Sequence, residues 1–167
     1  YMIANFSAMG LVAAASIFIS QFYGAKDKIH LKMTFRYAII GVYLIIIPFT
    51  VLSLIAPQWI IGFFTKEIAY HLEGVRYLSV VAYSFIPMGL TIVIASALRS
   101  IGETRIPLYA NMLSVFINAG FNYVLIFGHF GFPALGVVGA AIATVIARVV
   151  EAAVLIYVIR RKEYPFT

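Results

Sequence analysis

The 167-residue sequence is 63% hydrophobic and only 11% charged, with a formal net charge of +6 and a mean hydropathy of +1.02. A water-soluble domain carries about 25% charged residues, so this composition excludes a globule coated by polar side chains and points to the membrane. No cysteine is present, which excludes disulfides, thiolate metal sites and cysteine nucleophiles.

Apolar stretches of membrane length cover about 1–23, 33–55, 75–98, 107–127 and 135–159. They predict an all-α, polytopic membrane helix bundle of five transmembrane helices, with the lipid bilayer as its surroundings. The first stretch carries Asn5, Ser16 and Ser20 near one helical face. It has no basic flank and no initiator Met, so it is not a signal peptide; the chain reads as one whose beginning is missing. A basic loop, GAKDKIHLK, follows. The second stretch holds Pro48, a predicted kink. Trp59 and Phe63, four residues apart, suit a short amphipathic turn at the headgroup level.

The third stretch aligns Ser84, Pro87 and Thr91 along one face, again with an internal proline. The fourth begins with Pro107, where a missing backbone donor costs nothing. The fifth stops at Arg160-Arg161-Lys162. The loops after the first and third stretches and the final tail hold nine basic residues: Lys26, Lys28, Lys32, Arg36, Arg99, Arg105, Arg160, Arg161 and Lys162. The opposite loops hold only Lys66 and Arg76, with Glu67 and Glu73. The positive-inside rule then makes the C-terminal end cytoplasmic and puts Tyr1 on the external side of a plasma membrane. Basic residues distributed in this way are topology signals and argue against a nucleic-acid partner.

The fourth helix is the most informative. Asn111, Ser114, Asn118 and Asn122 are spaced by 3, 4 and 4 residues and form one stripe. Their polar groups are costly in lipid unless paired, so the stripe is either interhelical glue or the wall of a cavity that holds a cation or a polar part of a substrate. In the fifth helix, Arg148 and Glu151 lie three residues apart at membrane depth. They either neutralise each other or leave Glu151 a proton or cation role. Gly139, Ala143 and Ala147 form a small-residue line for close helix packing. His30, His71 and His129 fall in loops and read as surface residues. No metalloprotease, hydrolase or phosphate-loop signature occurs, so neither an enzyme, a metal centre nor a resident cofactor is expected.

The stretch ALRSIGETRIPLYANMLSVFINAGFNYVLIFG, followed by GFPALGVVGAAIATVIAR, resembles the multidrug and toxic compound extrusion (MATE) transporters. QFYGAKD at 21–27 is similar to the end of that family's second helix and its loop. The five helices match the second to sixth of the N-terminal lobe, making 1–167 a partial lobe without the first helix and the second lobe. The resemblance implies export of drugs or organic cations in exchange for sodium ions or protons, with those absent parts as partners. It also implies that Asn118 and Asn122 fall on cation-site positions. Some branches have an Asp at the second, which puts direct protonation at Asn122 in question. Asn111 and Glu151 are weaker candidates for the same site. The alternatives are a lipid-linked oligosaccharide flippase of the same superfamily, which would need more interior cations than Arg148, and a non-transporting membrane scaffold, which would need no polar stripe.

Overall fold

The computed structural model describes residues 2–64, 68–129, 131 and 133–166, with side chains over the same ranges except 2–5, 63–64 and 68–70. Tyr1, Lys66, Glu67 and the side chains of Asn5 and Phe63 therefore lie outside the described residues. Among the described residues seven α-helices follow one another: α1 Met2–Gly24, α2 Lys28–Ile55, α3 Pro57–Phe64, α4 Ile68–Val81, α5 Phe85–Ser100, α6 Arg105–Phe127 and α7 Gly136–Arg161. A 3₁₀ turn, Ala82–Ser84, joins α4 to α5. Five spans among the described residues are long and apolar enough to cross a membrane, with α4, the 3₁₀ turn and α5 acting as one.

That combined span is the centre of the bundle and the most buried of the five. α1 and α2 pack together on one side of it, and α7 with α6 outside it on the other. The core consists of aliphatic and aromatic side chains from α1, α2, α4, α5 and α7, among them Val42, Ile46, Phe85, Leu98 and Leu155. Many large apolar residues remain exposed, such as Leu44, Phe116 and Tyr157. In water such a surface would aggregate, and in a bilayer it is the solvated face.

Helix boundaries differ from the sequence reading where charges obscured them. α2 begins at Lys28 rather than near residue 33 because Asp27 caps it: its carboxylate accepts from the backbone N–H groups of Ile29 (3.2 Å) and His30 (3.1 Å). Lys28, Lys32 and Arg36 thus belong to the first turns of a helix. The third span also starts earlier, at α4, so Glu73 and Arg76 sit on a helix and pair at 3.4 Å instead of lying in a loop. Pro48 leaves α2 unbroken, whereas Pro87 coincides with the change from 3₁₀ turn to α5. A proline clashes with the carbonyl four residues before it and gives no donor to it, and here that carbonyl belongs to Tyr83 in the 3₁₀ turn. Tyr43 of α2 braces this point by donating its hydroxyl to the Ile86 carbonyl (3.0 Å).

The chain end also folds back. Glu163, just past α7, has a positive φ of 44°, and the turn brings Phe166 against Phe35 of α2 with ring centroids 4.9 Å apart. Phe166 is only 2% exposed.

Candidate functional site

The polar stripe of α6 faces α7, and the two helices form the most extensive packing pair in the bundle. Their closeness depends on Gly139: a Cβ there would lie 2.6 Å from the Leu125 carbonyl oxygen. That carbonyl also accepts the Leu135 N–H (2.9 Å), locking the turn between the helices. Ala143 and Ala147 continue the buried small-residue line.

On this scaffold the stripe divides by role. Ser114 is buried and donates to the Ala147 carbonyl across the interface at 3.1 Å, which is helix–helix glue. Asn118 and Asn122 behave differently. The Asn122 amide donates to the Asn118 carbonyl oxygen (3.0 Å), the Asn118 amide donates to the Thr144 hydroxyl (3.3 Å), and that hydroxyl donates to the Ala140 carbonyl (3.0 Å). Donation runs one way through all three side chains, so the acceptor at the head of the chain is left over. The Asn122 side-chain oxygen is buried and has no hydrogen-bond partner among the described residues. An unpaired buried amide oxygen is costly; an amide carbonyl with free lone pairs is also a ligand of the kind hard cations take. The Asn118 oxygen and the Thr144 hydroxyl each keep a second lone pair as further acceptor capacity along the same chain.

Asn118 and Thr144 also line a groove of about 170 Å³ with Asn111, Ser114, Ala147 and Arg148. Asn111 is exposed and opens this groove to a second hollow of about 360 Å³ around Arg99 and Arg105. Arg148 pairs with Glu151 at 2.7 Å. The Glu151 side chain is 7% exposed and the Arg148 side chain 30%, so Glu151 holds Arg148 at the groove wall and does not itself line the groove. The structure thus brings Asn111, Asn118 and Arg148 together and sets Glu151 behind them.

Thr144 escaped the sequence reading. It sits in a run of small apolar residues, and its partner lies on another helix, so no spacing within α7 marks it. Ser16, Ser20, Ser84 and Thr91 all return their hydroxyls to carbonyls of their own helix turn and build no site.

Comparison with known proteins agrees with this architecture. The chain is 35% identical over 160 residues to a probable multidrug resistance protein NorM of Bacillus cereus, covering 94% of this chain and 34% of that protein. It is 32% identical over 158 residues to the probable multidrug resistance protein YoeA of Bacillus subtilis, with the same two coverages of 94% and 34%. The chain therefore spans about a third of the length of these relatives. Its fold is similar to the inward-facing conformation of a multidrug resistance MATE family transporter of the MOP superfamily, with a TM-score of 0.81 at 22% identity over 91% of this chain and 34% of that one. The MatE family profile matches residues 1–124, and with the motifs noted above this establishes that the chain belongs to the MatE family, the multidrug and toxic compound extrusion proteins.

Proposed function

We propose that this chain forms five helices of one lobe of a cation-coupled exporter of drugs or organic cations, and that Asn118, Asn122 and Thr144 contact the coupling cation. The observation that carries this reading is the buried, partnerless Asn122 oxygen at the head of the Asn122–Asn118–Thr144 chain. A sodium ion there would satisfy that oxygen and draw on the neighbouring lone pairs. Neither asparagine titrates, so proton coupling would need a carboxylate from outside this group, such as one on a preceding helix, or Glu151 behind the groove. The distribution of basic residues favours a cytoplasmic α7 end.

Relatives named as multidrug resistance proteins support the drug class. The flippase reading is disfavoured because Arg148, the interior cation it needs, is already neutralised by Glu151 at 2.7 Å. The scaffold reading is disfavoured because Ser114 and Asn118 bond across to α7 and Asn122 bonds to Asn118. The test is drug resistance conferred by the full natural protein carrying Asn118→Leu or Asn122→Leu. Membrane insertion should persist while resistance falls, and full resistance in both variants at equal membrane abundance would overturn the site assignment.

A further inference from the structure

Another hollow, at the end of the bundle that carries Lys26 and Lys28, is separate from the α6–α7 groove. A cleft of about 430 Å³ opens between the end of α1, the start of α2 and the returning tail. Its floor is apolar, made by Phe22, Leu31 and Pro165, and its rim carries Lys26 and Lys28. Ligand pockets of this kind run from about 300 to 1,000 Å³. Leu31 is 1% exposed, whereas both lysines are exposed. The cleft therefore presents exposed cations above an apolar base, at the end of α1.

Local chemistry keeps the cleft cationic. Asp27 stands between the two lysines in sequence, yet its carboxylate is turned to the α2 N-terminus and to the His30 ring nitrogen at 2.6 Å. His30 in turn stacks on Phe22 with centroids 5.4 Å apart, which holds the acid away from the rim. No hydrogen bond or ion pair engages the side chain of Lys26 or Lys28 among the described residues. Lys26 is moreover fixed in the left-handed conformation (φ 57°) that ends α1. The Asp27 N–H returns to the Phe22 carbonyl (2.9 Å) and the Lys26 N–H to the Tyr23 carbonyl (3.1 Å). That is the helix-terminating pattern usually given to glycine, so the backbone under this lysine is pinned while its side chain stays free.

We infer that this cleft binds the headgroup of an anionic phospholipid, its phosphate between Lys26 and Lys28 and its glycerol and first acyl carbons over Phe22, Leu31 and Pro165. A basic pocket between helices at the charged side of a membrane protein has the chemistry for such a headgroup. The apolar floor and the membrane-edge position favour a lipid over a free phosphate.

Gly24 supplies the test. It lines the cleft, and a Cβ placed on it meets nothing within 4 Å, so Gly24→Trp fills the cleft while keeping both lysines. The full natural protein is purified in neutral detergent, and binding of phosphatidylglycerol and phosphatidylcholine is measured by intact-complex mass spectrometry. The wild type should prefer phosphatidylglycerol. Lys26→Gln/Lys28→Gln should weaken that binding about thirtyfold, a factor of about five for each lysine, and Gly24→Trp should weaken it at least several-fold. Arg160→Gln/Arg161→Gln, outside the cleft, should change it little. Equal losses in the two double variants would mean diffuse surface charge and overturn the site. Undiminished binding in Gly24→Trp would overturn the cleft, and displacement of the lipid by millimolar inorganic phosphate would overturn the choice of a lipid.

Discussion

Replacing Gly139 by alanine adds one methyl group at the tightest approach between α6 and α7. Its carbon would lie 2.6 Å from the Leu125 oxygen, 2.7 Å from the Leu125 carbonyl carbon and 3.1 Å from its Cβ. All three belong to a backbone segment and the carbon next to it, so no side-chain rotation can relieve the overlap. Ordinary contact starts at 3.4 Å, so the helices must part locally by the difference, 3.4 − 2.6 = 0.8 Å. Overpacking of this sort costs about 1–3 kcal/mol. The same displacement would carry the 3.3 Å bond from Asn118 to Thr144 beyond hydrogen-bond length. Gly120, on α6, is the control: a Cβ there meets nothing within 4 Å. Both substitutions gain the same helix-propensity term of up to about 1 kcal/mol. Their difference in stability isolates the overpacking and should equal about 1–3 kcal/mol in favour of Gly120→Ala. Thermal unfolding of the purified full natural protein reads it directly. A Gly139→Ala protein that melts at or above Gly120→Ala would refute the close-approach argument.

Further outcomes follow from the charged and aromatic anchors. Arg148→Met strands the Glu151 carboxylate, whose side chain is 7% exposed. It should destabilise toward the lower end of about 3–5 kcal/mol, since Arg148 itself is partly open. Arg148→Met/Glu151→Gln should recover most of that loss, and equal stability of the single and double variants in thermal unfolding would contradict the pairing. Phe166→Ala empties a site that is 2% exposed. Truncating a buried Phe removes about 3–5 kcal/mol of packing, so the tail should open and trypsin should cut at Arg160–Lys162 more than tenfold faster, against an unchanged rate if the tail is not anchored by this ring. The backbone and ring hydrogen bonds of His30 hold the Asp27 carboxyl below its ordinary value of 3.8. A depressed carboxyl stabilises the fold above that ordinary value and loses its contribution as pH falls through the lowered one. The melting-temperature advantage of wild type over Asp27→Asn should therefore hold above 3.8 and shrink as pH falls below it, and a constant difference would contradict the cap.

Much of this was legible in the sequence because a bilayer imposes a simple code. Runs such as 33–55 and 135–159 announce helices by apolar length alone, and the 3, 4, 4 spacing of Asn111, Ser114, Asn118 and Asn122 puts them on one face. What spacing could not supply was the partner of each residue. Ser114 turned out to be glue and Asn118 part of a polar chain, although their spacing is equivalent, because one meets the Ala147 carbonyl and the other the Thr144 hydroxyl. Thr144 and Phe166 were invisible because both act across elements distant in sequence. Helix starts at Lys28 and Ile68 were hidden because lysines, Glu73 and Arg76 resemble a loop until the Asp27 cap and the α4 turns are seen.

The most direct test of the cation site is export of a fluorescent organic cation by the full natural protein reconstituted in liposomes, under an imposed sodium gradient and, separately, an imposed proton gradient. At least one gradient should drive export by the wild type, and that gradient should fail to drive the Asn122→Leu protein. Gradient-driven export by Asn122→Leu at the wild-type rate would contradict the role assigned to the unpaired Asn122 oxygen, and indifference of the wild type to both gradients would contradict cation coupling itself.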